Sequence, residues 1–297
     1  MTAVTATSKK PKKSLERQPI GYLFIAPNFF IYITFVFIPI FWTMGLSLTN
    51  YDLNTMEFVG LQNFIGLFGD RIFLKSLWNT MRYTVMVLPL GMVIGLMLAM
   101  LIQKKFIGRA FFRAVFYLPQ VISLVASSLA WMYLFGENGI LNMLLRTMGV
   151  SRVGWLTDPS ISIFSIVVLS LWMISGYNML LFLSGLQSIP SHLYEAAAID
   201  GATPIQSFFN ITLPQLAPTT FFVFVMSCIS SFQVFGQVYM MTGGGPDNAT
   251  TTLAHQIYIN AFQYNKMGYA SAMSVILLLI ILLITLVNFR YGNKEVD

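Results

Sequence analysis

Apolar runs of membrane length alternate with short polar stretches along nearly the whole chain. The first follows a polar, basic start, "MTAVTATSKKPKKSLERQP", and reads "GYLFIAPNFFIYITFVFIPIFWTMGLSL". A signal peptide offers only about 7–15 apolar residues before a small-residue cleavage site, so this longer, aromatic run reads as a retained span. Pro27 and Pro39 are expected to bend it or break its ends. A bilayer core asks for roughly 20 apolar residues per helix. Five further runs meet that length, at 83–102, 110–135, 161–186, 216–241 and 267–289. The pattern therefore predicts an all-α membrane protein with six transmembrane helices.

Composition strengthens this picture. Hydrophobic residues make up 56% of the 297 and charged residues only 9%, against about 25% charged in soluble domains. The net charge of +6 does not form a nucleic-acid-binding face, because the basic residues sit at the ends of apolar runs. With six spans both termini share one side. That side collects Lys9, Lys10, Lys12, Lys13, Arg17, Lys104, Lys105, Arg109, Arg113, Arg290 and Lys294, and the other Arg71, Lys75, Arg82, Arg146, Arg152 and Lys266. Eleven against six places both termini in the cytoplasm by the positive-inside bias.

Candidate chemistry is sparse. No zinc-ligand cluster, phosphate-loop lysine motif or paired-carboxylate pattern occurs, so no catalytic residue and no metal site is expected. "TGGGPD" (242–247) reads as a turn. Cys228, the one cysteine, lies inside an apolar run and reads as a packing residue. The cores of the six runs hold no acidic residue, and His192 and His255 fall in loops, so proton coupling lacks an obvious group. An ion-coupled secondary transporter of a neutral polar solute, using backbone carbonyls, stays open as an alternative.

The loop between the fourth and fifth runs contains "EAAAIDGATPIQSFFNITLP" (195–214) and carries no Lys or Arg. Ser191 is placed to cap a helix from His192. Gly201 suits a left-handed stop, and Thr203-Pro204-Ile205-Gln206 spells a second start that Pro214 would end. Two short helices joined at a glycine bend are predicted, each too short to stand alone in water. A helix lying on lipid would show basic residues on its polar face. This loop shows Ala with Leu193, Tyr194, Phe208 and Phe209, which suits docking into a protein groove; a loop packed on its own spans fits equally from the residues alone.

Neutral polar residues stand out in two runs. The fourth has Ser170, Trp172, Ser175, Gly176, Tyr177, Asn178 and Ser184; the fifth has Ser227, Ser230, Ser231, Gln233 and Gln237. Ser227, Ser230 or Ser231, and Val234 fall on one helix face. These groups either line a path or bond helices together. Hydroxyls and amides beside aromatic rings suit a sugar, and the absence of Arg and Lys from the cores argues against phosphate and sulfate and, more weakly, against glycerol phosphate.

Glu195-Ala196-Ala197, then Gly201, then Ile211, Leu213 and Pro214 resemble the EAA loop of ABC importer permeases. The resemblance extends over 77–289, and "FVGLQNF", "FRAVFYLPQVIS" and "MTGGGPDNAT" are similar to the first of the two paired permeases of maltose-type carbohydrate importers. It implies a type I ABC importer transmembrane domain over 77–290, with the EAA loop at about 190–214, a first helix at 20–48 and cytoplasmic tails at 1–19 and 291–297. The chain would sit as a multi-pass subunit in a prokaryotic cell membrane, surrounded by lipid. Glu195, Ala196, Ala197, Gly201, Leu213 and Pro214 would form the joint that couples to ATPase subunits. Implied partners are a second homologous permease, two ATP-binding subunits and an extracellular or periplasmic solute-binding protein, with no nucleic acid. The cofactors ATP and Mg would be held on those partner subunits and none by this chain, which is not itself an enzyme. Ser227, Ser230, Ser231 and Gln233, with Gly176, Tyr177 and Asn178, would lie along the sugar path. Segments 50–76, 136–160 and 242–265 would face the solute-binding protein, with a surface helix inside 250–265. An acidic residue is frequent in relatives where this chain has Gly236. A non-sugar ABC substrate such as glycerol phosphate is the remaining alternative.

Overall fold

The computed structural model of the protein describes residues 19–104 and 106–292. The expected tails, apart from their innermost residues, lie outside it, as do Lys9, Lys10, Lys12, Lys13, Arg17, Lys105 and Lys294 of the charge comparison.

The chain divides into two compact units, residues 1–45 and 46–297. In the first, α1 (Pro19–Tyr32) runs through a π turn at Ile33–Phe37 into α2 (Ile38–Leu46), and Tyr22–Leu46 is long and apolar enough to cross a bilayer. Pro27 is carried within α1. The π turn falls just before Pro39, whose missing N–H removes one rung of the helix.

The second unit opens with a hairpin, β1 (Thr49–Tyr51) and β2 (Met56–Phe58), antiparallel with Asn50 opposite Glu57. This small hairpin sits within an otherwise helical fold, the all-α class expected from the sequence. Its turn is built on Asp52, whose Oδ1 accepts from the amides of Thr55 (2.7 Å) and Asn54 (3.0 Å). Those bonds, Thr55 first, hold the Asp52 carboxyl below its ordinary range.

Then come α3 (Gln62–Gly69) and α4 (Arg71–Gln103). Asp70 caps α4 by accepting from the amides of Ile72 and Phe73, and its other carboxylate oxygen accepts from the Tyr269 hydroxyl at 2.8 Å. Because of that cap, α4 starts twelve residues before the apolar run beginning at Tyr83. Its 33 residues span about 50 Å at 1.5 Å per residue, well beyond a ~30 Å core, so its polar first turns extend outside the bilayer.

The third expected span is not one helix. α5 (Arg109–Val121) and α6 (Leu124–Phe135) are separated by extended backbone at Ile122 and Ser123, and the segment from Leu124 to α7 (Ile140–Thr147) is turned 97° from α5. After α8 (Ser162–Ser188) and α9 (Ser191–Ile199), α10 (Pro204–Ser207) passes through a π turn (Phe208–Thr212) into α11 (Leu213–Gln215). Pro214 therefore continues the helical path rather than ending it. The turn comes at Leu216, where α12 (Ala217–Phe232) departs at 65°. The fifth run is divided between α12 and α13 (Gly236–Met241), with a break at 233–235. Last come α14 (Leu253–Tyr258), a π turn (Ile259–Gln263) and α15 (Met267–Gly292). Among the described residues four helices are long and apolar enough to cross a membrane, and six segments are if each bent pair counts as one span.

α4 and α8 form the main helix pair. They meet where Gly95 leaves room for Asn178: a Cβ on Gly95 would lie 2.6 Å from the Asn178 Cβ. Small residues permit such approach in membranes, where burial from water no longer draws helices together. Three apolar clusters surround this pair. Tyr83, Phe135, Ile166 and Val238 join α4, α6, α8 and α13; Phe73, Cys228, Phe232 and Met273 join α4, α12 and α15; Ile102, Phe182, Leu216 and Val223 join α4, α8 and α12. Cys228 is a packing residue, as its surroundings in the sequence implied.

Candidate functional site

The first candidate site is a cavity of about 440 Å³ inside the second unit. Its wall is drawn from α4 (Tyr83, Val87), α5 (Gln120), α8 (Ser170, Met173, Ile174, Tyr177), α12 (Met226, Ser227, Ser230, Ser231) and α13 (Gln237). The breaks in the apolar runs make this possible. Ending α5 at Val121 brings Gln120 to the wall, and ending α12 at Phe232 lets α13 return Gln237 to it.

Of the residues expected along a path, Ser227, Ser230, Ser231 and Tyr177 line this cavity. Gly176, Asn178 and Gln233 do not. Gly176 faces α5, where a Cβ would sit 2.0 Å from the Phe116 carbonyl oxygen. Asn178 is buried against Gly91 and Gly95 of α4. Gln233 is an exposed residue at the C-terminal cap of α12. Helix periodicity had grouped Val234 with the serines, but the helix has already ended. Val234 is buried with α13, and its carbonyl accepts from Thr252 Oγ1 at 2.7 Å.

Tyr83, Gln120 and Gln237 complete the wall. Gln237 carried a sequence signal as one of the neutral polar residues of its run; Tyr83 and Gln120 carried none, because their direction depends on where α4 starts and α5 stops. The Ser170 hydroxyl is spent on the Ile166 carbonyl (2.9 Å). The buried Ser231 hydroxyl has no partner in the fold, although it belongs to the cavity wall. A buried hydroxyl without a partner is costly. No charged side chain and no histidine stands among the described residues of the wall.

Gly236 has a packing reason. A Cβ there would approach the Leu124 Cδ2 to 2.2 Å, so glycine allows α13 to lie against the start of α6.

The second candidate site is the loop from Ser191 to Gln215. Gly201 adopts φ +75° after α9, and Ala202 N donates to Ala197 O at 2.9 Å, closing the helix in the expected left-handed manner. Thr203 and Gln206 form the expected reciprocal cap: Gln206 N donates to Thr203 Oγ1 (3.3 Å) and Thr203 N to Gln206 Oε1 (2.8 Å). The expected Ser191 cap is absent; Pro190 occupies the cap position and Ser191 is already helical.

Glu195, Ala196, Gly201, Leu213 and Pro214 are exposed and Ala197 is half-buried. Ile199 (87% exposed), Ile205 (71%) and Phe209 (59%) are large apolar side chains that the loop also leaves exposed. Leu193, Tyr194 and Phe208, expected as docking residues, are partly buried instead. Tyr194 and Phe208 line a second cavity of about 430 Å³ under the loop, together with Met100, Gln103, Leu186 and Thr212. The Tyr194 hydroxyl lies 2.9 Å from Thr212 Oγ1.

The segment 242–265 is built into the fold. Asn79 Nδ2 donates to the carbonyls of Asn248 and Thr251, both at 3.0 Å, and Leu253 N donates to Thr80 Oγ1 at 2.9 Å. "TGGGPD" is a turn, with φ +57° at Gly243 and +87° at Gly244. The expected surface helix at 250–265 is largely inward-facing: Leu253, His255, Gln256, Asn260 and Ala261 are buried. His255 lies within α14 rather than in a loop, with Nδ1 3.0 Å from Thr251 Oγ1 and Nε2 unpartnered. Burial lowers its pKa below 6.5.

Residues 91–293 match the family model described as binding-protein-dependent transport system inner membrane component. The chain is 38% identical to a probable ABC transporter permease, YurN of Bacillus subtilis, over 93% of this chain and 98% of that protein. It is 32% identical to the trehalose/maltose transport system permease MalF of Thermococcus litoralis, covering 94% and 95%. It is 34% identical to the sn-glycerol-3-phosphate transport system permease UgpA of Salmonella typhi, covering 93% and 95%. A bacterial alginate ABC transporter, solved in complex with an alginate pentasaccharide-bound periplasmic protein, shares the fold at a TM-score of 0.83 and 23% identity, over 94% of this chain and 95% of that one.

Proposed function

The chain belongs to the family of binding-protein-dependent transport system inner membrane components, the permeases of ABC importers, and on that premise we propose that it passes a neutral sugar through the 440 Å³ cavity and is driven through the 191–215 loop. The carrying observation is the cavity wall. Tyr83, Tyr177, Gln120, Gln237 and the serines of α12 offer rings, amides and hydroxyls without a formal charge. Sugars present hydroxyls for such groups and C–H faces for the rings. Glycerol phosphate carries a charge that this wall leaves unpaired, and an uncompensated charge in a low-dielectric site costs several kcal/mol.

The loop is the contact for an ATP-binding subunit. The loop exposes Ile199, Ile205, Phe209 and Glu195 and carries no Lys or Arg, which suits a protein groove better than an anionic lipid surface. Glu195 holds the contact by charge or hydrogen bonding, and Gly201 allows the bend. ATP and Mg belong to those two subunits, and hydrolysis occurs there. A second homologous permease completes the path, and an external solute-binding protein delivers the sugar. The charge bias puts the loop and both termini in the cytoplasm.

The test is uptake in vesicles by the assembly purified with the products of neighbouring genes. Uptake of a neutral oligosaccharide that requires ATP and the binding protein is expected, with no response to a proton gradient. ATP-driven uptake of glycerol phosphate in preference to sugars would overturn the substrate class. Glu195→Ala combined with Gly201→Pro should leave insertion intact and abolish substrate-stimulated ATP hydrolysis; normal stimulation would overturn the coupling role.

A further inference from the structure

We infer that the Tyr194–Thr212 hydrogen bond is the latch that carries motion of the docking helix α9 directly into α12, the helix bearing the serines of the cavity; this rests on the loop being the ATPase-subunit contact proposed above. α9 has nine residues, too few for an independent helix in water, and it ends at the left-handed glycine turn at Gly201. A push on such a helix would be lost at the bend unless something ties it to the next element. Tyr194 is that tie. Its ring is part of the wall of the cavity under the loop, and its hydroxyl reaches Thr212 Oγ1 at 2.9 Å across 18 residues of sequence.

Thr212 is well placed to receive a force. It is buried, it ends the π turn Phe208–Thr212, and its carbonyl accepts from Leu216 N at 3.0 Å, the residue where the chain bends 65° into α12. Ser227, Ser230 and Ser231 lie further along that same helix and line the cavity. A displacement of α9 therefore has a short bonded route to the wall, through Tyr194, Thr212 and Leu216, which bypasses the glycine hinge. Tyr194 and Thr212 both line the cavity at the loop, and the Thr212 hydroxyl also donates to the Ser207 carbonyl at 3.4 Å within its own turn, which leaves the Tyr194 hydroxyl as the donor from α9. Tyr194 is in this account a positioning residue. It does not touch the sugar and is not part of the exposed docking surface.

The experiment measures ATP hydrolysed per sugar transported by the complete assembly in vesicles. Tyr194→Phe keeps the ring and removes the hydroxyl; Thr212→Val removes its partner; Thr212→Ser preserves the bond. Tyr194→Phe and Thr212→Val should each raise the ATP-to-sugar ratio about fivefold, the factor corresponding to one net hydrogen bond, while the ATP-binding subunits still co-purify. The double variant should be no worse than either single change, and Thr212→Ser should restore the normal ratio. A normal ratio in both single variants, or effects that multiply in the double variant, overturns the latch. Co-purification that survives Ile205→Asp and Phe209→Asp in the exposed surface would instead overturn the docking reading.

Discussion

Gly176 gives the sharpest test of how this fold assigns work to its residues. It was expected along the sugar path, yet it sits at the crossing of α8 and α5. An ideal Cβ at this position would lie 2.0 Å from the Phe116 carbonyl oxygen, 2.8 Å from the Phe116 carbonyl carbon and 3.0 Å from the Tyr117 Cα. All three are backbone atoms, so no side-chain rotation relieves the clash and α5 must move as a body. Overpacking of this kind costs typically 1–3 kcal/mol. At roughly 2–4 °C per kcal/mol, Gly176→Ala should lower the melting temperature of the purified assembly by about 2–12 °C. Gly69→Ala is the internal control. That residue ends α3 and a Cβ there meets nothing within 4 Å, so alanine should be neutral or stabilising by up to about 1 kcal/mol. Both variants are read by thermal unfolding in detergent, with sugar KM measured alongside. Gly176→Ala should also shift KM, because α5 carries Gln120 to the cavity wall. A Gly176→Ala assembly that melts like the wild type would refute the crossing argument, whatever its KM.

Gly236→Ala should cost less than Gly176→Ala in the same melts, since its clash is with the end of the flexible Leu124 side chain; an equal or larger loss would count against that reasoning. Asp70→Ala removes the α4 cap and the bond from Tyr269 and should destabilise by about 1–2 kcal/mol, while Asp70→Asn, which keeps an acceptor, should recover part of it. His255 titrates below 6.5 in the folded chain because it is buried. The unfolded chain thus binds its proton first as pH falls, so its contribution to stability is complete above about pH 6.5 and declines below it. Melting temperature should therefore drop more between pH 7.5 and 5.5 for the wild type than for His255→Gln, and parallel drops would exclude His255 as the cause. Ser231→Ala should weaken sugar transport without lowering the melting temperature, because the lost hydroxyl has no partner within the fold; a large loss of stability would reveal a structural bond instead.

Much of the 191–215 loop was legible because its signals are local. A glycine after an alanine-rich helix and a Thr-x-x-Gln pair describe backbone conformations that depend on a few neighbouring residues. Gly201 at φ +75° and the Thr203–Gln206 cap are both present. Pro214 was misleading. A proline stops an ordinary helix, but the π turn ahead of it carries the helical path on to Gln215. The inward turn of Tyr194 could not be read, since its partner is 18 residues away.

The candidate cavity was half legible. Ser227, Ser230 and Ser231 lie close together on one helix, and any helix there would group them. Gly176 and Asn178 stand at helix crossings instead of in this cavity wall, because small and amide residues serve close helix crossings as readily as they serve a path. Which role applies depends on the neighbour that arrives, and these neighbours are α5 and α4.

The apolar periodicity and length of the runs, by themselves, determined that this chain is a bundle of membrane-crossing helices, because a backbone in hydrocarbon must satisfy its hydrogen bonds within each segment. Only the tertiary structure decided where the helices break. Apolar residues flank each break closely, Leu118 and Val121 before Ile122–Ser123 with Leu124 and Val125 after it, and Phe232 before 233–235 with Val238 after it, so the apolar runs do not mark where the helices end. At the second break the freed backbone is satisfied by protein, where Thr252 donates to the Val234 carbonyl. Those breaks bring Gln120 and Gln237 to the cavity, and they arise from long-range packing that no local stretch of sequence encodes.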